Sequence, residues 1–407
     1  MLSEQSAPVV KETLPVVGAA IEEITALFYQ KLFEARPELL RDLFNRGNQA
    51  NGEQRQALAG SIAAFAGMLL DHPDARPDAM LARIAHKHAS LGVTSDQYKI
   101  VNEHLLAAVA DVLGEAVTPE VAAAWDEVYW LMANALMAVE ARLYEQHGTP
   151  EGGTWQAMRV VARHQETPDT LALTLRPADG TPARAFRPGQ YVSVQAELPD
   201  GARQIRQYSL SSAPGAPEWR ITVKRVRAAA GPAGEVSSWL HEEARVGEVL
   251  AVSAPFGDLT LPDGDGPLLL ASAGIGGTPM LAMLHHLAAT DSSRRVVVVH
   301  ADRSPADHAH RDELRRLVGT LRHGSLHLWY EEADHRAAAD GAGPAPAVVS
   351  AGRADLGELP LPDGVTAYLC GPLPFMRSLR GDLLRRGVAP RAVHYEVFGP
   401  DLWLAQQ

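Results

Sequence analysis

Along the first third of the chain the apolar positions recur at helical spacing. Ile21, Ile24, Leu27, Phe28 and Leu32 fall on one face, and almost no strand signal appears before about Tyr144. The punctuation is helical too: Asn51-x-x-Gln54 and Thr94-x-x-Gln97 have the form of capping boxes, and Gly92 closes the helix before Thr94. An all-helical domain over residues 1–147 is predicted. His147-Gly148-Thr149-Pro150-Glu151-Gly152-Gly153 breaks the periodicity and reads as a linker, 148–153. Beyond it the period shortens to two. Met158 to Ala162, Leu171 to Leu175, Tyr191 to Gln195, Ile205 to Leu210, Ile221 to Val226 and Val249 to Val252 read as a six-stranded antiparallel β-barrel within 154–264. From 265 to 407 buried-strand patterns at Leu268 to Ala271, Val296 to His300, Leu326 to Trp329 and Ala367 to Cys370 alternate with helical segments. That alternation predicts an α/β domain with a parallel, doubly wound sheet. The expected fold is therefore multidomain: all-α, then antiparallel barrel, then α/β.

Composition narrows the function classes. A net charge of -12 over 407 residues disfavours nucleic acid or an anionic membrane as partner, because either needs a basic face. Cys370 is the single cysteine, so no intrachain disulfide is possible, which fits a reducing cytoplasm. Met1 to Val10 lacks a basic start followed by an apolar core, so no secretion signal is read. Leu268 to Leu284 carries no charge and is nearly long enough to span a bilayer, yet its middle, Gly-Ile-Gly-Gly-Thr-Pro, reads as strand, turn and helix. The expectation is a cytoplasmic monomer without a transmembrane segment.

In the barrel segment, Pro188-Gly189-Gln190-Tyr191 and Arg206-Gln207-Tyr208-Ser209-Leu210 have the chemistry of a flavin cradle. Arg206 offers a fork of donors to a pyrophosphate, Tyr208 a flat ring and hydroxyl to an isoalloxazine, and Ser209 a donor to its polar edge. Taken alone, Arg-x-Tyr-Ser is ordinary in a sheet. Order gives it weight: it is followed by Gly234-Glu235-Val236-Ser237, by Gly274-Ile275-Gly276-Gly277-Thr278-Pro279 and by Cys370-Gly371-Pro372. The glycine turn sits between a buried strand and a helix, where its backbone can approach a phosphate; Thr278 is expected to cap the helix and Pro279 to take its first position. Pro279 stands where the dinucleotide fingerprint has its last glycine. Cys370-Gly371-Pro372 closes a strand at its carboxyl end, where such sheets bind ligands.

In the helical segment, Leu81, Ile84 and His88 share a face, whereas His86 is turned about 200° from His88. A lone histidine on an apolar face is either a hydrogen-bonded core residue or a haem ligand. Tyr98 shares a face with Val101 and Leu105, and Glu140 follows Met132 and Leu136 at intervals of four. Both could hold the second ring nitrogen of His88, though Glu140 could equally be a helix-edge residue that reaches solvent.

From roughly Trp155 onward the ordered motifs resemble the ferredoxin reductase-like family of FAD and NAD(P) modules, with Arg227 to Ala233 lengthening the loop before Gly234. The first 147 residues resemble a globin through Phe28-Tyr29, Pro37-Glu38-Leu39, Phe44-Asn45, Asn48-Gln49-x-Asn51-Gly52-x-Gln54-Arg55, Ile84-Ala85-x-Lys87-His88 and Glu103-His104-Leu105-Leu106. Together the two parts resemble the flavohaemoglobins, bacterial and fungal nitric oxide dioxygenases. The resemblance implies haem b, FAD and NADH or NADPH as cofactors, nitric oxide and dioxygen as substrates, and electrons passing from NAD(P)H through FAD to haem. It implies that His88 is the proximal iron ligand within a triad completed by Tyr98 and Glu140. Tyr29 and Gln54 would face dioxygen, with Phe28, Phe44, Leu58 and Lys87 in the haem pocket. Tyr29 could otherwise be a core ring, and Gln54 the third residue of its own capping box.

The same resemblance assigns FAD to Tyr191, Arg206, Gln207, Tyr208, Ser209, Gly234, Val236, Ser237, Glu396, Val397, Phe398, Gly399 and Pro400. It assigns NAD(P) to Gly274, Ile275, Gly276, Gly277, Thr278 and Pro279 and to Cys370, Gly371 and Pro372. Phe398 is placed over the flavin, against the alternative of a core phenylalanine, and Val397 stands where many members have cysteine. Lys87 and Glu396 are expected near the haem and flavin, tuning both by charge. Asp302 would repel a ribose phosphate and neighbouring Arg303 attract one; NADH is expected. An NAD(P)H oxidase or ferric reductase, or an oxygen or nitric oxide sensor, are the rival readings.

Overall fold

The computed structural model describes residues 1–73, 78–228, 233–332, 347–357 and 359–399. Pro400 and residues 229–232 of the long loop lie outside them. The described chain divides into two compact units. One is Met1–Trp155 with Gln195–Arg206 and Gly399; the other is Gln156–Val194 with Gln207–Phe398.

The first unit is built on seven helices, α1 (Ser6–Ala35), α2 (Pro37–Asp42), α3 (Arg46–Ala50), α4 (Glu53–Asp71), α5 (Asp78–Leu91), α6 (Ser95–Leu113) and α7 (Pro119–Gln146). The apolar stripe expected on α1 buries Ile24, Phe28 and Leu32 against α4, α6 and α7, while α5 packs on α7. Gly92, at φ 77°, ends α5 in the left-handed region. Thr94 then starts α6 with the expected capping box, its N–H donating to Gln97 Oε1 at 3.0 Å. The other expected box does not form. Gly52, at φ 80°, is the N-cap of α4, and Asn51 Oδ1 instead accepts from Glu53 N at 3.0 Å. A residue in the left-handed region between Asn51 and the helix turns the asparagine out of the capping position and leaves the Gln54 amide available elsewhere.

The barrel strands are β1 (Trp155–Thr167), β2 (Thr170–Pro177), β3 (Tyr191–Glu197), β4 (Arg203–Ser209), β5 (Trp219–Lys224) and β6 (Val249–Ser253), ordered β4-β3-β6-β1-β2-β5. β1 and β2, and β2 and β5, run antiparallel, and a bridge from Leu210 to Ile221 brings the two ends of the order together. Leu171, Leu173, Leu175, Trp219 and Phe256 fill the interior. Helix α8 (Glu235–Glu243) lies between β5 and β6 in the chain.

The second sheet holds β7 (Leu268–Ala273), β8 (Arg295–Asp302), β9 (His323–Tyr330), β10 (Ala347–Ala351), β11 (Thr366–Cys370) and β12 (Val393–Glu396), ordered β10-β9-β8-β7-β11-β12 with every neighbouring pair parallel. Helices α9 (Gly277–Ala289), α10 (Arg311–Thr320) and α11 (Leu373–Arg385) supply connections. β7 lies between β8, next in the chain, and β11, which comes from much further along. The order reverses at its carboxyl end, which makes that crevice the expected ligand site. β10 is not foreseen from the sequence because Ala-Val-Val-Ser-Ala is a short edge strand, only partly buried, without a long apolar run. Among the described residues no helix is long and apolar enough to cross a membrane.

Candidate functional site

The helical unit assembles the residues that helical spacing suggested. His88 Nδ1 is 2.9 Å from Tyr98 Oη and 2.9 Å from Glu140 Oε1, and the Tyr98 hydroxyl donates to Glu140 Oε1 at 2.6 Å. The single phenolic proton goes to the carboxylate, so the tyrosine oxygen, like the carboxylate, accepts from Nδ1–H. Glu140 is 3 % exposed, which removes the helix-edge alternative. Burial, then the charge and hydrogen bond of Glu140, push the Tyr98 pKa far up, so the phenol remains a donor. A proton held on Nδ1 puts the lone pair on Nε2, and this is the tautomer and support that a haem-iron ligand requires. The donor set therefore fits haem.

A second cluster lies on α1, α4 and the corner between α2 and α4. Tyr29 is 5 % exposed, its ring centroid 4.7 Å from Phe28, 5.6 Å from Phe33 and 5.8 Å from Phe44. The amides of Gln54 and Gln49 lie against its hydroxyl; burial outweighs both and raises its pKa, so the proton stays on. Gln54 thus turns to Tyr29 instead of back to the helix start. Gln49 is a site residue that sequence reasoning misses: its Nε2 is buried without a well-formed hydrogen bond, beside a buried phenol. Such an orphaned donor fits a pocket that takes a polar acceptor. Leu58 is half-buried on α4. Lys87 Nζ donates to the carbonyl of Gly399 at 3.2 Å.

In the barrel, Tyr191 is 8 % exposed and its ring lies against Gly257, where a Cβ would come within 3.1 Å. Arg206 and Tyr208 are half-buried and Ser209 is 5 % exposed. The Gln207 amide donates to Ser193 Oγ at 3.0 Å. Gly234 is the N-cap of α8, and a Cβ there would stand 2.6 Å from Ser237 Oγ and 2.8 Å from Val226 Cβ, so only glycine fits. Ser237 Oγ donates to Gly234 O and accepts from Val226 N, both at 3.1 Å. Its hydroxyl thereby pins the strand to the start of α8, while Val236 is buried beneath. The Arg206 guanidinium and the amino end of α8 are each chemically suited to a pyrophosphate.

At the carboxyl end of β7 the glycine turn differs from expectation in one respect. Gly274 to Gly276 form a 3-10 turn that runs straight into α9 at Gly277, so Thr278 is not the cap and Pro279 is not the first residue. No extended residue precedes the helix, and Thr278 Oγ1 instead donates back to Ile275 O at 2.9 Å. Gly276 has a packing reason as well: a Cβ would lie 2.3 Å from the Cys370 carbonyl oxygen. Cys370 is fully buried, and burial with the nearby Glu396 charge pushes its thiol up, which leaves it unreactive.

Behind the turn lies a small cavity lined by Ser272, Ile275, Thr278, Leu281, His300, His308 and Leu314. His300 Nδ1 meets Ser272 Oγ at 2.9 Å and its ring stacks on His308 at 3.9 Å; His308 Nδ1 meets Tyr330 Oη at 2.8 Å. His300 closes the strand expected at Val296 to His300, and His308 follows it; neither carries a further signal in sequence. Burial, then His300, hold His308 well below the ordinary histidine range, so it is neutral. Arg303 is paired with Asp307 at 2.8 Å. Phe398 is 48 % exposed just past β12, which excludes the core alternative, and Val397 is half-buried.

Comparison with known proteins matches three successive families: Globin over residues 26–136, Oxidoreductase FAD-binding domain over 157–261 and Oxidoreductase NAD-binding domain over 270–381. The flavohemoprotein of Rhizobium meliloti (strain 1021) is 40% identical over 417 residues, covering 99% of this chain and 100% of that protein. That of Bordetella parapertussis is 43% identical over 410 residues, covering 98% and 99%. Among solved structures, the flavohemoglobin of Malassezia yamatoensis with bound FAD and heme superposes with a TM-score of 0.87 at 38% identity, over 98% of this chain and 100% of that one. The FAD/NAD binding domain of a nitric oxide dioxygenase from Vibrio cholerae O1 biovar El Tor gives 0.54 at 34% identity, over 61% of this chain and 100% of that one. With one helical and two oxidoreductase modules matched end to end, the chain belongs to the flavohaemoprotein family, NAD(P)H-dependent oxidoreductases that combine haem with FAD.

Proposed function

We propose that the protein is a nitric oxide dioxygenase that converts nitric oxide and dioxygen to nitrate at the expense of NAD(P)H, and so removes nitric oxide. When bound, haem supplies the iron at which the two gases react, and FAD divides a hydride from the nicotinamide into single electrons. The observation that carries the reading is the buried Tyr29 hydroxyl with Gln54 and Gln49 at its oxygen, in the same unit as the His88, Tyr98 and Glu140 triad. His88 would hold the iron through Nε2, with Glu140 and Tyr98 fixing the ring's orientation and tautomer. Tyr29, its proton retained, would donate to dioxygen, and Gln54 would hold the phenol in place. Phe28, Phe44 and Leu58 would exclude water. Arg206, Tyr208, Ser209 and the start of α8 would hold FAD, and the turn Gly274 to Gly276 with Cys370 to Pro372 the nucleotide. The Vibrio cholerae relative of the reductase half is itself part of a nitric oxide dioxygenase. Anaerobic reduction by NADH followed by mixing with nitric oxide and dioxygen should give nitrate in step with NADH consumed; NADH consumption without nitrate would identify an oxidase or reductase instead.

NADH is the expected donor. Asp302 ends β8, where the second strand of such folds meets the adenosine ribose, and the neighbouring cation suited to a ribose phosphate, Arg303, is paired with Asp307. Steady-state kcat/KM should favour NADH by about tenfold or more, and an equal preference for NADPH would overturn the assignment.

Phe398 would lie over the flavin where nicotinamide must enter. Its exposure of 48 % is large for a ring whose burial contributes about 2 kcal/mol or more. Phe398→Ala should change hydride-transfer rate and the NADH to NADPH ratio while leaving the reduced protein's carbon monoxide spectrum unaltered. An unchanged nucleotide profile would refute the stacking role.

A further inference from the structure

The corner between α2 and α3 carries Phe44, yet its backbone is not completed by the helical segment that contains it. The last carbonyls of α2 lack partners inside a six-residue helix, and the first N–H of α3 is not reached by the Asn45 cap, which serves Gly47 and Asn48. One side chain from β4 supplies both needs. Gln204, fully buried, shares the two N–H of Nε2 among the carbonyls of Leu40 at 3.2 Å, Arg41 at 3.0 Å and Phe44 at 3.2 Å. Its Oε1 accepts from Arg46 N at 3.1 Å and lies 3.4 Å from Arg206 Nη1. Two ion pairs flank it, Arg203 with Asp42 at 3.2 Å and Arg46 with Asp200 at 2.6 Å. Asp42 is held well below the usual carboxylate range, by Arg41 first and Arg203 with it.

We propose that Gln204 is a positioning residue for the oxygen pocket, acting through Phe44 on Tyr29. The route is short and continuous. Gln204 fixes the Phe44 carbonyl, and the Phe44 ring stands edge-on to Tyr29 at 79° and to Phe33 at 72°. An amide serves here because it donates to carbonyls and accepts from an N–H at once. Loss of Gln204 would leave these carbonyls without their side-chain donor, loosen the corner and let the Tyr29 phenol drift from the direction that serves dioxygen.

The inference rests on Tyr29 donating to dioxygen, and the experiment separates the two. Oxygen release from the reduced holoprotein and its carbon monoxide stretching band are measured in wild type, Tyr29→Phe, Gln204→Leu and the double variant. Gln204→Leu should release oxygen roughly three- to tenfold faster and broaden the carbon monoxide band toward that of Tyr29→Phe, with the double variant within about twofold of Tyr29→Phe alone. FAD content and NADH-driven flavin reduction should be retained. If Tyr29→Phe changes release and Gln204→Leu does not, the inference on Gln204 is wrong; if Tyr29→Phe changes nothing, both it and the oxygen-pocket reading fall. Should Gln204→Leu not fold, Gln204→Glu keeps the acceptor for Arg46 N–H but loses the donors to the three carbonyls, and a wild-type release rate in that variant overturns the inference equally.

Discussion

Tyr29→Phe should release dioxygen from the reduced protein roughly ten to a hundred times faster than wild type. In the proposed function the pocket holds a dioxygen polarised toward negative charge, and hydrogen bonds to charged groups contribute about 1.5 to 3 kcal/mol, at about 1.4 kcal/mol per decade of rate. The phenol is suited to donate there. It is 5 % exposed, its pKa is pushed up by burial so the proton stays, and the substitution removes one oxygen without altering the ring packed on Phe28, Phe33 and Phe44. Carbon monoxide, which is less polar, should feel the change less. Reduction of an artificial acceptor through FAD should not change, because the ring contacts of Tyr29 all lie on α1 and the corner after α2. Stopped-flow oxygen displacement and nitrate yield check this. If both stay at wild-type values, Tyr29 is packing and nothing more.

Gly276→Ala should weaken NAD(P)H binding by about tenfold or more and destabilise the nucleotide domain by about 1–3 kcal/mol, the usual cost of forcing atoms into a packed site. The added Cβ would sit 2.3 Å from Cys370 O, 2.6 Å from Cys370 C and 2.9 Å from Gly371 N, all main-chain atoms at the end of β11 that cannot swing aside. Either the glycine turn lifts or the strand end retreats, and both border the crevice at β7. Its neighbour is the control. At Gly277 the nearest atom to an added Cβ is His300 Cε1 at 3.4 Å, an ordinary contact, and alanine within a helix gains about 1 kcal/mol over glycine. Gly277→Ala should therefore unfold at or above the wild-type temperature. Steady-state KM and thermal unfolding of both variants decide the matter; equal behaviour of the two would show that the Cys370 contact is not the reason glycine is needed.

The hydrogen-bonded cluster of His88, Tyr98 and Glu140 was legible because each member lies on an apolar helical face, where a histidine, a tyrosine and a carboxylate each need a partner. Spacing alone could not say that α5, α6 and α7 bring them to one point. Gln54 stayed ambiguous, since its sequence context suits a capping box as well as a pocket; the left-handed conformation of Gly52 removes the capping box. Thr278 misled for a related reason: a cap is recognised by the helical residues after it, whereas the 3-10 turn before Thr278 makes the cap unnecessary. The six barrel strands followed from alternation, but the edge strand β10 did not, having too little buried surface to impose a pattern. Gln204 was the least visible. In an alternating strand a glutamine reads as solvent-facing, and its partners are backbone groups lying 158 to 164 positions earlier, which have no signature in side-chain sequence.

That clamp also bears on how the molecule is to be cut. A gene truncated after His147 would keep every side chain proposed above for the haem pocket and still omit Asp200, Arg203 and Gln204, which close the corner around Phe44. The smallest globin that preserves its own architecture thus includes a stretch encoded well beyond its last helix. For chimeras the practical boundary is accordingly a pair of cuts, and a foreign reductase grafted at the linker would have to bring an equivalent of the turn and strand from Asp200 to Arg206.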